Sequence, residues 1–128
     1  MKKILIVDDQ QAWIDYNKQA VFDVLGNDIQ VDTSSSAQEA YNILLENFST
    51  PYDCIITDMQ MEEDYDPKMA GEWLIEQIKQ LPPYERAAII IISASPKAKI
   101  IAENLGVDCI PKSVAVASIE SYKSLLEK

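Results

Sequence analysis

The sequence contains no histidine, only two cysteines, and 11 basic against 21 acidic residues. Without histidine, the chain cannot carry a phosphohistidine, a Ser-His-Asp triad or a thiol-imidazole nucleophile. Two cysteines, Cys54 and Cys109, cannot form a zinc quartet, and their apolar contexts indicate reduced residues of the core. The net charge of −10 argues against direct binding of nucleic acid, which depends on clustered Lys and Arg. Any phosphoryl chemistry must therefore be carried out by carboxylates.

Long apolar runs are also missing from the sequence. No stretch approaches the roughly 20 apolar residues that a membrane span requires. The chain begins with Met1 to Lys3 and a short apolar run, without the cleavage site of a signal peptide. We therefore expect a cytoplasmic protein with no membrane insertion. A length of 128 residues with 48% hydrophobic residues is that of one globular domain around one core.

Short apolar runs alternate with amphipathic stretches, which predicts successive βα units and a parallel sheet. The strands are expected at 3–7, 29–33, 53–57, 87–92 and 108–111. The first helix is expected at about 11–25, and the second runs from a capping box at Ser36 to near Asn47. The third carries Leu74, Ile78 and Leu81 and ends at Pro82. The fourth has Pro96 in its first turn and a cap at Gly106, and the fifth covers 114–127. Right-handed crossovers then give an α/β fold with a doubly wound, five-stranded parallel sheet of order 2-1-3-4-5, as in flavodoxin.

Acidic residues follow two strands that this order makes neighbours. Asp8 and Asp9 close the first strand, and Asp58 closes the third, so three carboxylates are expected at one edge of the sheet. Like charges at such distances raise one another's pKa or recruit a counter-ion, and an all-oxygen cluster suits Mg²⁺. The alternative interpretation is that Asp9 or Gln10 only begins the first helix as its N-cap.

Two more polar residues are expected at the same edge. Ser93 closes the fourth strand and Lys112 follows the fifth. A hydroxyl, an ammonium and Mg²⁺ together would stabilise the charge on a phosphoryl group carried by Asp58. Taken separately, Ser93 could cap the fourth helix and Lys112 could be a solvated cation. Their position beside the aspartates favours a phosphoryl-binding pocket.

Five blocks of sequence occur in the order found in the receiver domains of two-component response regulators. They are ILIVDD (4–9), IITDMQM (55–61), PKMAG (67–71), IIISAS (90–95) and GVDCIPK (106–112). The chain resembles that family over essentially its whole length, which implies one receiver domain over 1–128 with no output domain. Output would then depend on binding another protein, unless the chain is a fragment of a longer regulator.

The resemblance implies a function and its partners. A histidine kinase or histidine phosphotransfer protein would donate a phosphoryl group to Asp58, and the acyl phosphate would switch binding of a downstream protein. The chain would be a monomer or a weak phosphorylation-dependent dimer, and it would turn over no external substrate. Asp9 and Asp58 would bind Mg²⁺ directly, Asp8 would act through metal-bound water, and the backbone carbonyl of Gln60 would be the third protein ligand.

The resemblance also assigns the residues around the phosphoryl group. Ser93 stands at the position of the switch hydroxyl, Ala94 would offer its backbone N–H to the phosphoryl group, and Lys112 is the lysine of the last block. Gln60 and Ser95 flank the site, and we expect them to influence the lifetime of the acyl phosphate by admitting or excluding water. The direction of that influence is left open.

The chain departs from typical members of the family in two regions. Pro67 and Gly71 lie five residues farther from Asp58 than usual, because an acidic segment, 62–66, is inserted. That segment is either a tolerated loop insertion or a lid that modulates phosphoryl access. At the other end, Ser113 replaces the usual proline and Cys109 occupies the region of the switch aromatic. The stretch 93–106 is also short, which predicts an unusual partner surface.

Two alternatives remain open, and these departures motivate the first of them. A pseudo-receiver would keep the fold and bind its partner without phosphorylation. A Mg²⁺-dependent phosphohydrolase would also place an aspartate at a strand end, but it usually needs a second acid two residues later, where this chain has Gln60.

Overall fold

The computed structural model describes residues 1–61 and 68–127, so the acidic segment 62–66 and its suggested role as a lid lie outside the described residues. The described residues form five strands in one parallel sheet of order β2-β1-β3-β4-β5. They are β1 (Lys2–Val7), β2 (Ile29–Ser34), β3 (Cys54–Thr57), β4 (Ala88–Ser93) and β5 (Asp108–Pro111). The predicted fold class and strand order are confirmed.

Six α-helices and one 3₁₀ turn, Pro82–Tyr84, connect or follow these strands within the described ranges. The helices are α1 (Gln11–Leu25), α2 (Ala37–Glu46), α3 (Ala70–Ile78), α4 (Ala98–Leu105), α5 (Lys112–Ala117) and α6 (Glu120–Leu126). At the start of α2, Ser36 Oγ accepts a hydrogen bond from the Glu39 N–H at 3.1 Å, as its capping sequence predicts. Gly106 ends α4 in the left-handed region, with φ of 73°, where glycine is favoured.

Three predictions about the helices are wrong. The third helix, expected to include Leu81 and to end at Pro82, ends at Ile78, and the Leu81 N–H instead closes a turn by donating to the Ile78 carbonyl at 3.0 Å. Pro96 lies in the turn before α4, which begins at Ala98, so it does not occupy the first turn of the helix. The single helix expected over 114–127 is divided in two at Ser118, whose backbone is extended. The Ser118 hydroxyl accepts a hydrogen bond from the Glu120 N–H at 3.2 Å, and such local bonds compete with the helical backbone ladder.

Side chains alternate between the two faces of the sheet and form two buried clusters, because successive strand residues point to opposite sides. One cluster joins the sheet to α2, α3 and α4, and the other joins it to α1, α5 and α6. Strand β4 contributes Ile89 and Ile91 to the first cluster and Ile90 and Ile92 to the second. Both faces of the sheet are therefore covered, and the ends of its strands remain available for a site.

Neither cysteine of the described chain forms a disulfide, as predicted for reduced residues. Cys54 and Cys109 are both free, Cys54 is buried, and burial raises the pKa of its thiol to about 12. Within the described ranges, no helix is both long and apolar enough to cross a membrane.

Candidate functional site

The ends of β1 and β3 bring Asp8 and Asp58 together. Val7 pairs with Thr57 in the parallel register, and each aspartate follows one of these residues. The backbone ladder continues past the strand ends, because the Asp58 N–H donates to the Val7 carbonyl at 3.0 Å and the Asp8 N–H donates to the Ser34 carbonyl at 3.1 Å. Both aspartates are therefore fixed by the main chain at the carboxyl edge of the sheet.

Three carboxylates converge at this edge, as predicted. One oxygen from each of Asp8, Asp9 and Asp58 lies within 4.8 Å of the others. Asp8 and Asp58 are buried, and Asp9 is half-buried. Gln10 is the N-cap residue of α1, but within the described chain its side chain makes no capping hydrogen bond. Hard oxygen ligands at this spacing fit Mg²⁺.

Asp8 shows the electrostatic cost of this convergence. Its pKa is raised from 3.8 to about 6, mainly by burial, and the negative charges of Asp58 and Asp9 add to the increase. The Gln10 N–H, which donates to Asp8 Oδ1 at 2.9 Å, and the Lys112 ammonium act in the opposite direction. A divalent cation bound among the three carboxylates would offset this repulsion.

Lys112 is the first residue of α5, immediately after β5, and its side chain reaches across to the aspartates. Its Nζ lies 3.1 Å from Asp58 Oδ2 and 3.6 Å from Asp8 Oδ2. The side chain is only 12% exposed, so Lys112 is not a solvated surface cation. Nζ also lies 4.7 Å from the centroid of the Trp13 ring. Trp13 lies on α1, and no pattern in the sequence signals its contact with Lys112.

Backbone and hydroxyl groups fix the orientation of Asp58. Its Oδ1 accepts a hydrogen bond from the Met59 N–H at 2.7 Å, while Oδ2 accepts one from Lys112. The Thr57 hydroxyl donates to the Asp58 carbonyl oxygen at 2.9 Å. These bonds leave the carboxylate with one oxygen against the main chain and the other against the ammonium, at the floor of a cavity.

The cavity above Asp58 measures about 540 Å³. All but one of the residues predicted for the site line it, and these are Asp9, Asp58, Gln60, Ser93, Ala94, Ser95 and Lys112. Asp8 lies buried beside them. Ser93 Oγ accepts a hydrogen bond from the Ser95 N–H at 3.0 Å, and the N-cap of α4 is Lys97, so Ser93 does not cap that helix. The specific roles of the Gln60 carbonyl and the Ala94 N–H stay predictions.

A second cavity of about 310 Å³ adjoins the first and shares Ser93, Ala94 and Lys112 with it. Cys109 lines this cavity from β5, where it pairs with Ile91 and is half-buried. The small thiol therefore stands in the region where the family resemblance leads us to expect an aromatic side chain.

A scan against protein families matches residues 4–122 to the response regulator receiver domain. The chain belongs to this family. Its site residues therefore lie in a receiver domain, at the edge of the sheet where the sequence blocks placed them. A search of curated proteins finds no relative that matches the chain.

Solved structures with the same fold include receivers from several sources. The phosphorylated cyanobacterial phytochrome response regulator RcpA is 23% identical, with a TM-score of 0.79 over 98% of this chain and 91% of that one. A CheY-like receiver domain protein from Methanospirillum hungatei is 26% identical, with a TM-score of 0.69 over 99% and 94%. The beryllofluoride-activated receiver domain of DrrB is 16% identical, with a TM-score of 0.73 over 100% and 99%.

Proposed function

We propose that this receiver accepts a phosphoryl group on Asp58 in a Mg²⁺-dependent reaction and thereby switches its binding to a downstream protein. The donor is a histidine kinase or a histidine phosphotransfer protein. One observation carries the proposal: the Lys112 ammonium lies 3.1 Å from Asp58 Oδ2 at a cluster of three carboxylates whose oxygens are within 4.8 Å of one another. An acceptor, a cation site and a fixed positive charge are the groups that phosphoryl transfer requires.

The metal site would use the carboxylates of Asp8, Asp9 and Asp58 and the backbone carbonyl of Gln60. When bound, Mg²⁺ supplies positive charge that offsets the negative charges of the carboxylates and of the incoming phosphoryl oxygens. Asp8, which is buried and has a raised pKa, loses its proton more readily once that charge is present.

The protein's own groups promote the transfer because they are positioned around the phosphoryl group. An Asp58 carboxylate oxygen forms the new bond to phosphorus, and the bond from phosphorus to the donor's imidazole nitrogen breaks with its electron pair going to the ring. Lys112 offsets charge on the phosphoryl oxygens, while the Ser93 hydroxyl and the Ala94 N–H donate hydrogen bonds to them. Gln60 and Ser95 line the same cavity and control how water reaches the acyl phosphate.

The proposed chemistry involves no turnover of an external substrate. Hydrolysis of the acyl phosphate returns the Asp58 carboxylate and releases phosphate. Gln60 occupies the position two residues after Asp58, and its amide cannot act as a general acid or base for a phosphohydrolase.

A second candidate function is that of a pseudo-receiver, which binds its partner regardless of phosphorylation. The half-buried Cys109 favours it, because a small thiol cannot relay movement of Ser93 as an aromatic side chain would. The convergence of Asp8, Asp9, Asp58 and Lys112 favours the phosphorylated switch instead, since a pure binding module gains nothing from buried like charges.

Titration with Mg²⁺ and beryllofluoride, followed by NMR, tests the proposed function. The wild-type chain should show saturable, Mg²⁺-dependent shifts at the cavity and at a surface away from it. Asp58→Asn, which removes the acceptor carboxylate, is the control and should show no response to beryllofluoride. A well-folded wild-type sample without any response would contradict phosphorylation. Shifts confined to the cavity, with unchanged partner affinity, would support the pseudo-receiver.

A further inference from the structure

The Lys112 ammonium contacts both carboxylates and an indole ring. Asp58 Oδ2 and Asp8 Oδ2 lie at 3.1 and 3.6 Å from Nζ, and the centroid of the Trp13 ring lies at 4.7 Å. An ammonium at this distance from an indole ring is attracted by the ring quadrupole, more strongly when both groups are screened from water. The ring offers no lone pair, so the ammonium N–H groups stay available for carboxylate or phosphoryl oxygens.

Trp13 is itself tied to the helix that carries Lys112. The rings of Trp13 and Tyr16, one turn apart on α1, meet edge-on with centroids 5.4 Å apart. The Tyr16 hydroxyl donates to the Ala115 carbonyl of α5 at 2.8 Å. Helix α5 has only six residues and begins at Lys112. Helix α1 thus contacts both the side chain of Lys112 and the main chain of the short helix behind it.

We propose that Trp13 is a positioning residue for phosphoryl transfer: its ring, supported by Tyr16, holds the Lys112 ammonium against the Asp58 carboxylate. The inference rests on the proposed function, because Lys112 acts there on the phosphoryl oxygens. A lysine side chain loses substantial rotamer freedom when it is fixed. A ring already in place on α1 reduces the number of positions that the ammonium explores, and this preorganises the charge before the phosphoryl group arrives.

A purely structural role is the competing explanation, because Trp13 also packs against the cluster that contains Ala20 and Val21. Two substitutions separate the explanations. Trp13→Phe keeps a ring with weaker attraction for a cation, and Trp13→Leu keeps apolar contact without a ring. Trp73→Leu is the matched control, since Trp73 is the other tryptophan of the chain, is also half-buried, and meets Tyr41 edge-on from α3.

The experiment measures two dissociation constants on the full chain: Mg²⁺ alone, and beryllofluoride at saturating Mg²⁺. The constant for beryllofluoride should rise by between about 2-fold and about 30-fold in Trp13→Leu and by less in Trp13→Phe. It should change by less than about 2-fold in Trp73→Leu. The constant for Mg²⁺ alone should not rise in any of the three, because the carboxylates remain in place.

Three results would overturn the inference: unchanged beryllofluoride affinity in Trp13→Leu, an equal loss of affinity in Trp73→Leu, or parallel weakening of Mg²⁺ and beryllofluoride binding, which indicates general damage.

A wild-type chain that binds no beryllofluoride would contradict the proposed function instead. In that event, the contact between ring and ammonium is tested alone by a double-mutant cycle of Trp13→Leu and Lys112→Met on unfolding without ligands. Non-additive effects are expected, and additive effects would refute the contact.

Discussion

The backbone of Gly71 lies directly against the backbone of Asp58. A Cβ at Gly71 would come within 2.1 Å of the Asp58 carbonyl oxygen and 2.7 Å of Met59 Cα. The Gly71 N–H donates to the Met59 carbonyl at 2.9 Å. The first turn of α3 is therefore docked on the segment that presents the acceptor carboxylate, and it is docked there despite the five additional residues between Asp58 and Gly71.

Gly71→Ala should disturb both the fold and the site. The new methyl group would overlap backbone atoms, which cannot rotate away as a flexible side chain does. We expect a loss of about 3 kcal/mol in the free energy of unfolding, measured by urea denaturation. Gly106→Ala is the control, because Gly106 has an ordinary left-handed backbone (φ 73°, ψ 36°) and the nearest atom to an added Cβ is Lys79 Nζ at 4.0 Å, so its loss should be only about 1 kcal/mol. Equal losses in the two variants would contradict the close contact.

Asp8→Asn should stabilise the metal-free protein at alkaline pH. The pKa of Asp8 is about 6 in the folded chain and 3.8 as its ordinary value, so the folded state binds this proton more tightly than the unfolded state. The contribution of Asp8 to stability is therefore greatest below pH 3.8 and is lost as the pH rises through about 6. At pH 8 in a chelator, we expect Asp8→Asn to gain about 1 to 3 kcal/mol.

The pH series supplies the check on this explanation. The difference between Asp8→Asn and wild type should shrink as the pH falls from 8 to 4, and added Mg²⁺ should reverse its sign at pH 8 because the asparagine is a poorer ligand. Asp28→Asn neutralises one exposed charge and should show neither effect. A constant difference across the pH series would mean that the carboxyl of Asp8 is not buried as described.

Lys112→Met should change the affinities for cation and anion in opposite directions. The Lys112 ammonium, 3.1 Å from Asp58 Oδ2, repels a cation at the carboxylates and attracts a phosphoryl group. Removing this charge should tighten binding of Mg²⁺ by about tenfold, while binding of beryllofluoride should weaken by at least about tenfold. Calorimetric titration of each ligand provides the measurement. Changes in the same direction would place Lys112 outside the site.

The sequence predicted the sheet because apolar runs of strand length, separated by amphipathic helices, specify a buried parallel sheet. The convergence of Asp8, Asp58, Ser93 and Lys112 followed from the strand order alone, since parallel strands end at one edge. The contact of Trp13 with Lys112 depends on how α1 packs against α5, and spacing along one helix does not encode it.

Two further features of the structure were not predicted from the sequence, because they depend on individual hydrogen bonds and close contacts. The break between α5 and α6 depends on the Ser118 hydroxyl bonding to the Glu120 N–H, and an isolated serine in a helical sequence does not predict such a bond. The close approach of Gly71 to Asp58 is likewise a tertiary contact, and the sequence showed only that a glycine stands in the block.

Phosphorylation of the purified chain by acetyl phosphate tests the central claim most directly. In the presence of Mg²⁺, intact-mass spectrometry of the wild-type protein should show the gain of one phosphoryl group, and removal of Mg²⁺ by a chelator should abolish it. Asp58→Asn, folded to the same extent by circular dichroism, should gain none. A well-folded wild-type chain that stays unmodified, or an Asp58→Asn chain that is modified equally, would contradict Asp58 as the acceptor.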